Sequence, residues 1–391
     1  MARRRKIKKN TAVKILIAVV AVILIVAIAL GIFYAVAPEK FNELKDKLFS
    51  SISDPNEPSS PGVQPTLEGT LEMTVLNVGQ GDCIFLQFPD GQTMVMDAGS
   101  EFGSSNTYDK LADHLDMRGI QALDYMFITH SDYDHIRYVQ DILEEYEVKA
   151  IYIPRVAEDM SATWTKTIAA IEEETWTNSN GEQVLSEIFY TVGDFTIEGE
   201  DWTMSCHSYL EEDYPNVKES SSAEVKNSVS PICFLEYADR TIVLTGDSNE
   251  RNEEYLLERG VLNVDADVLK VGHHGSRTST ISEFLNAVDC EYAVISYGED
   301  NDYGHPTPEL MERLEEYTDV KPDGDYNGYK YVYETAKDGN VSVYVDGNGA
   351  LRIDCELTDD KDFTLNWGEA AASADIEWLL PARRQEVLLA A

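Results

Sequence analysis

The hydrophobic rhythm of the chain changes twice along its length. Residues 12–37 are almost continuously apolar, with Lys14 the single charge at their start. A run of that length crosses a bilayer as a helix. Residues 38–70 lose the pattern. Residues 41–49 fit a short amphipathic helix, and 50–66 are rich in Ser, Pro, Asn and Gly, the composition of an extended, flexible stalk. From Leu71 onward, short apolar or alternating runs between turn residues alternate with helical patterns, which predicts a layered α/β body.

Within that body, residues 73–78, 83–88 and 93–96 read as strands, with Pro89-Asp90-Gly91 turning between the second and third. Residues 108–117 read as a helix and 123–128 as a strand. A helix is predicted over 161–174, and strands over 189–197 and 202–206. Residues 232–237 and 241–245 form a hairpin through Ala238-Asp239-Arg240. Helices follow at 252–259, 280–287 and 308–317, separated by strands at 267–271 and 292–296. Strands at 330–334, 341–345 and 351–353 complete the pattern. The expected division is 1–37 as a basic segment and anchor, 38–70 as a stalk, 71–355 as the folded body, and 356–391 as a tail without an assigned role.

Charge sharpens this division. The net charge is −40, yet residues 1–50 hold ten Lys/Arg against three Asp/Glu, a balance of +7 that leaves −47 for the remainder. Arg3, Arg4, Arg5, Lys6, Lys8 and Lys9 precede the apolar run and should stay cytoplasmic, which puts the body outside the cytoplasmic membrane. A cleaved signal peptide is the rival reading, because Ala35-Val36-Ala37 resembles a cleavage site. So acidic a body repels nucleic acid unless metal ions or local basic groups offset it, which argues against extensive non-specific DNA binding. Five scattered cysteines with no CxxC pair make neither a disulfide framework nor a zinc knuckle.

The candidate chemistry gathers at Thr129-His130-Ser131-Asp132-Tyr133-Asp134-His135, in a chain with only seven histidines. An extended chain would put His130, Asp132 and Asp134 on one face, with His135 joining from the next turn. Other predicted strands also end in residues able to bind a metal. Asp97 closes one, Asp247 in Thr245-Gly246-Asp247 another, and His273-His274 a third; His305 follows a fourth. Beside them lies the turn Asn77-Val78-Gly79-Gln80-Gly81-Asp82, whose glycines permit tight backbone turns. Loops at strand ends can gather such groups around one pocket. His207 stands apart and reads as an ordinary surface histidine.

These segments, together with Asn227-Ser228, Lys270–Ser276 and Asn301–Pro306, run in order through residues 71–355. In that combination the chain resembles the metallo-β-lactamase superfamily, and more closely its ComEC-type competence-protein branch. The resemblance implies a four-layer αββα sandwich, here preceded by one transmembrane helix, with two divalent metal ions at one edge. It implies His130, Asp132 and a later histidine on one ion, Asp134 and His135 on the other, Asp247 between them, and Asp97 orienting ligands. His273 is the choice for the later histidine, with His274 or His305 as substitutes, and His305 could instead polarise the substrate or protonate a leaving group. Asn227 and Ser228 are further candidates for metal or substrate.

Two positions depart from the family pattern. The superfamily commonly has histidine where Asp132 stands, and a carboxylate-rich set moves preference from Zn²⁺ towards Mn²⁺; zinc is still expected first. Ile136-Arg137-Tyr138 stand where relatives usually have small glycines, and Arg137 is placed to contact a phosphate. The expected function is metal-dependent hydrolysis of a phosphodiester, DNA-related or in an envelope polymer such as a phosphocholine ester. A non-catalytic binding version of the fold is the alternative. With one membrane helix, a role in transport would need a separate channel subunit.

Overall fold

The computed structural model describes residues 69–100, 107–158, 160–320 and 332–357, all within the compact unit Pro61–Ala391. The expected anchor, most of the stalk and most of the tail lie outside the described residues. Among the described residues, no helix is long and apolar enough to cross a membrane.

In chain order the strands are β1 (Thr70–Val75), β2 (Cys83–Gln87), β3 (Thr93–Ala98), β4 (Ala122–Phe127), β5 (Glu147–Ile153), β6 (Thr175–Thr177), β7 (Gln183–Leu185), β8 (Glu187–Tyr190) and β9 (Asp194–Glu198). They continue as β10 (Trp202–His207), β11 (Ile232–Tyr237), β12 (Arg240–Leu244), β13 (Val268–Lys270), β14 (Tyr292–Ile295), β15 (Val332–Glu334), β16 (Val341–Asp346) and β17 (Leu351–Cys355). One sheet runs β17-β16-β1-β2-β3-β4-β5-β8 and the other β15-β14-β13-β12-β11-β10-β9, with β6 and β7 a separate hairpin.

Period-two side-chain placement accounts for the layers. On β2, Ile84 and Leu86 enter the core between the sheets, whereas Phe85 faces a second core shared with Leu111, Leu115, Ile142 and Trp164. On β11, Cys233 and Leu235 enter the central core, whereas Ile232 and Phe234 pack with Leu256, Phe284 and Leu310. Helices Thr107–Met117, Val139–Glu145 and Ala162–Glu173 thus cover one sheet. Helices Glu250–Arg259, Ser282–Val288 and Pro308–Val320 cover the other. The result is an αββα sandwich. Strands buried on both faces appear in sequence as apolar runs instead of clean alternation.

Three expectations needed correction. The predicted strand 189–197 is two strands in different sheets, β8 and β9, parted at Thr191-Val192-Gly193, where Gly193 has φ 73°. β5 was not foreseen, because its pattern is interrupted by Lys149. The extended arrangement of His130, Asp132 and Asp134 does not occur either. β4 stops at Phe127, and Tyr133–Ile136 is one helical turn with Asp132 at its N-cap. Asp134 and His135 are therefore presented by a turn, and a period-two rule does not apply to them.

The sheets are joined by an aromatic stack. Phe88, just beyond β2, lies 3.6 Å centroid to centroid from Trp202 of β10, and the Trp202 indole N–H donates to Asp90 at 2.8 Å. Trp202 is buried, so Trp202→Ala should remove about 3–5 kcal/mol of stability. Urea unfolding of the two proteins measures this, and a change under 1 kcal/mol would show that the stack does not hold the sheets together.

Candidate metal centre

The carboxyl ends of parallel strands from both sheets meet at one edge of the sandwich. β3 and β4 are parallel neighbours in the first sheet, and β12, β13 and β14 are parallel in the second. Open α/β sheets gather ligands at such ends. Here they deliver Asp97, the 129–135 loop, Asp247, His273-His274 and Ser296.

Close backbone approach comes first. A Cβ on Gly99 would lie 1.8 Å from the Asp134 carbonyl oxygen, and one on Gly81 would lie 2.4 Å from the same atom. Only glycine fits at these two points, so the glycine-bearing turns are the bed on which the ligand loop rests. The Asp82 N–H donates to that carbonyl at 3.1 Å, and Gly99 N–H donates to the Asp82 carbonyl at 2.9 Å.

Asp97 is occupied in holding the loop. One oxygen accepts from the Thr129 N–H at 2.8 Å; the other accepts from the Thr129 hydroxyl at 2.7 Å and from His135 Nδ1 at 2.8 Å. Holding Nδ1 as the protonated nitrogen turns Nε2 of His135 inward, as outer carboxylates do for metal-binding histidines. That Nε2 lies 3.2 Å from Asp247 Oδ1 and 3.2 Å from Nε2 of His274. His274 Nε2 is also 3.3 Å from Asp134 Oδ2 and 3.5 Å from Asp247 Oδ1, while its Nδ1 faces the Ser296 carbonyl at 3.0 Å.

The second oxygen of Asp247 faces a different set. Oδ2 lies 3.8 Å from His130 Nε2 and 3.7 Å from His273 Nε2, and His130 Nε2 is 3.9 Å from Asp132 Oδ2. This half is more open, with the Asp132 side chain one-third exposed. The Asn227 amide nitrogen reaches His273 Nε2 at 3.1 Å and Asp247 Oδ2 at 3.5 Å. Ser228 is turned away, its hydroxyl donating to the Val225 carbonyl at 3.0 Å.

The adjacent histidines are not alternatives to each other. His273 (φ 48°) and His274 (φ 54°) both adopt left-handed backbone between Gly272 and Gly275, and their rings face opposite oxygens of Asp247. Such φ values in non-glycine residues are strained and mark sites that the surroundings over-determine. His305 stands farther out, its ring centroid 5.4 Å from that of His273. Arg137 is stacked against Tyr133 and Tyr138, its guanidinium carbon 5.3 and 5.1 Å from the ring centroids.

The donor set suits divalent cations. Asp82, His135, Asp247 and His274 each present an atom within 4.8 Å of the others. Buried His130 Nε2 and Asp247 Oδ1 have no hydrogen-bond partner. Buried polar atoms without partners are costly, and a bound ion would satisfy them. Electrostatics agree. Burial opposes charge on His135 and His274, yet the surrounding carboxylates hold His135 well above its ordinary range and His274 up at about 10. Burial pushes Asp132 up to about 6, with Asp134 and Asp247 adding to it. Burial also draws His130 and His305 down to about 4.

Asp82 and Lys270 belong to this neighbourhood although they were not among the expected site residues. A lysine inside the apolar strand Val268–Lys270 was the available signal, since lysine is almost never fully buried unless paired.

If Gly81 and Gly99 seat the ligand loop, Gly99→Ala must displace Asp134 and His135. A loss of about 2–4 kcal/mol in stability is expected, with poorer metal retention. Thermal unfolding and metal content after gel filtration test this, and an unchanged melting temperature would contradict the packing account.

Comparison with known proteins follows the same outline. The metallo-beta-lactamase superfamily profile matches residues 76–205. ComE operon protein 3 of Bacillus subtilis is 29% identical over 298 residues, covering 72% of this chain and 35% of that protein. Recombination protein 2 of Haemophilus influenzae is 27% identical over 276 residues, covering 70% of this chain and 29% of that one. The chain thus spans about a third of the length of these curated relatives. Among solved structures, the metallo-beta-lactamase fold protein YhfI from Bacillus subtilis aligns with a TM-score of 0.39 at 11% identity, over 63% of this chain and 93% of that one. Residues 76–205 thus match the metallo-β-lactamase superfamily, and about 70% of the chain is similar in sequence to these ComEC-type, competence-related relatives.

Proposed function

We propose that this chain is a hydrolase of phosphodiesters that works with two divalent ions, Zn²⁺ first and Mn²⁺ as the alternative. Its body would stand outside the cytoplasmic membrane, anchored through residues 12–37, with DNA-related substrates the first choice. The observation that carries this reading is the division of Asp247, whose two oxygens face two different ligand sets. His130, Asp132 and His273 would hold one ion, and Asp134, His135 and His274 the other. When bound, the two ions would supply an activated water and neutralise charge developing on the ester oxygens.

The chain's own residues have separate tasks. Asp97 fixes the orientation of His135 and tethers Thr129. Asn227 restrains His273 against Asp247. Burial, His273 and His274 keep His305 neutral at pH 7, so that its N–H can donate to a substrate oxygen at the rim. Arg137 is held against Tyr133 and Tyr138 with its charge intact, suited to a phosphate oxygen. An acidic body needs such a local positive charge, because it otherwise repels a phosphodiester.

The full-length chain loaded with Zn²⁺ or Mn²⁺ should hydrolyse bis(p-nitrophenyl) phosphate. Asp247→Ala should lower kcat/KM by at least about a hundredfold. Absence of turnover in the loaded protein, or turnover unaffected by that substitution, would refute the assignment. Parallel rates on single-stranded DNA and on a phosphocholine ester would tell nucleic-acid from envelope substrates.

A further inference from the structure

Lys270 is fully buried at the end of β13, a few residues before the paired histidines. Its ammonium donates to Asp82 Oδ2 at 2.7 Å and to the Val271 carbonyl at 3.0 Å. Asp82 is equally buried, and its other oxygen, Oδ1, has no hydrogen-bond partner. That oxygen lies 3.4 Å from Nδ1 of His274, the nitrogen that also faces the Ser296 carbonyl at 3.0 Å. The Ser296 hydroxyl in turn donates to the Gly81 carbonyl at 2.7 Å. The imidazole of His274 therefore stands between two environments. Its Nδ1 edge meets a carboxylate and a carbonyl, and its Nε2 edge meets Asp134, His135 and Asp247.

We infer that Asp82 and Lys270 form one positioning unit that aims His274 Nε2 at the ion shared by Asp134, His135 and Asp247. The inference rests on the metal reading of the site. Two acceptors on the Nδ1 edge keep the proton there and leave the Nε2 lone pair for an ion, the arrangement Asp97 provides for His135. A carboxylate inside a protein keeps its charge only if paired, and Lys270 provides the pair. Asp82 has an oxygen within 4.8 Å of the donor atoms of His135, Asp247 and His274, but it acts through His274, because Lys270 occupies Oδ2 and Oδ1 meets the Nδ1 edge of the ring. The backbone of Asp82 also binds the Asp134 carbonyl and Gly99, so the unit aligns three loops at once. Among the described residues, the polar side-chain partners of His130 and His273 are Thr129, Asp132, Asn227 and Asp247 and not Asp82 or Lys270, so the other ion should not depend on the pair.

The test is metal affinity of the full-length chain, measured by Zn²⁺ competition with a chromogenic chelator. Wild type should bind two ions per chain. Asp82→Asn and Lys270→Met should each weaken one of them by about 10–100-fold and leave the other unchanged. Each single substitution strands a buried charge or its partner and could fail to fold. The double variant Asp82→Asn/Lys270→Met removes both charges and keeps the volume, so it preserves the measurement. Because the residues act as a unit, the double variant should be no weaker in binding than the worse single. A folded double variant that binds both ions as wild type does, or that weakens both equally as a general loss of structure would, overturns the assignment. Uptake of fewer than two ions by wild type would overturn the dinuclear reading together with this one.

Discussion

Several carboxylates are buried together at one edge of the sandwich, and much of the neighbouring structure answers that constraint. Asp82, Asp97 and Asp247 are each at most 2% exposed, and Asp134 stands beside them. Negative charges this close repel strongly in a medium that screens poorly. Positive or proton-bearing partners must therefore be built around them. Lys270 serves Asp82, His135 serves Asp97, and His274 lies between Asp134 and Asp247. The oxygens and nitrogens left over point at one another across a space that suits cations.

Backbone geometry follows from the same need. For the carboxylates to converge, the 129–135 loop must lie almost in contact with the Gly81 and Gly99 turns, closer than any side chain allows. The paired histidines must bring adjacent side chains to the two oxygens of one carboxylate, whereas a regular strand sends neighbours to opposite faces; two left-handed residues allow it. These conformations are unfavourable in isolation. The packed cores on both faces of each sheet hold the strand ends rigidly enough to maintain them.

The site has an asymmetry with a bearing on function. The half made by Asp134, His135 and His274 is enclosed and supported from behind by Asp97 and Asp82. The half made by His130, Asp132 and His273 is wider and more exposed, with the His305 ring beside His273.

Much of this was legible along the chain. Strand positions came from apolar runs and turn residues, and the ligand types at strand ends came from the scarcity of histidine, because both signals are local. Other features were not local. Whether 189–197 is one strand or two depends on which sheet each half joins, and the extended reading of His130, Asp132 and Asp134 failed because β4 ends at Phe127, before any of the three, and Asp134 lies in a helical turn. His273, His274 and His305 could not be ranked from sequence, since their roles depend on backbone turns and on which oxygen of Asp247 each ring meets. The Asp82–Lys270 pair joins residues 188 positions apart, a contact that no periodicity reports. Local chemistry and element type are written in neighbouring residues; which buried charges share a space is settled by packing two sheets edge to edge.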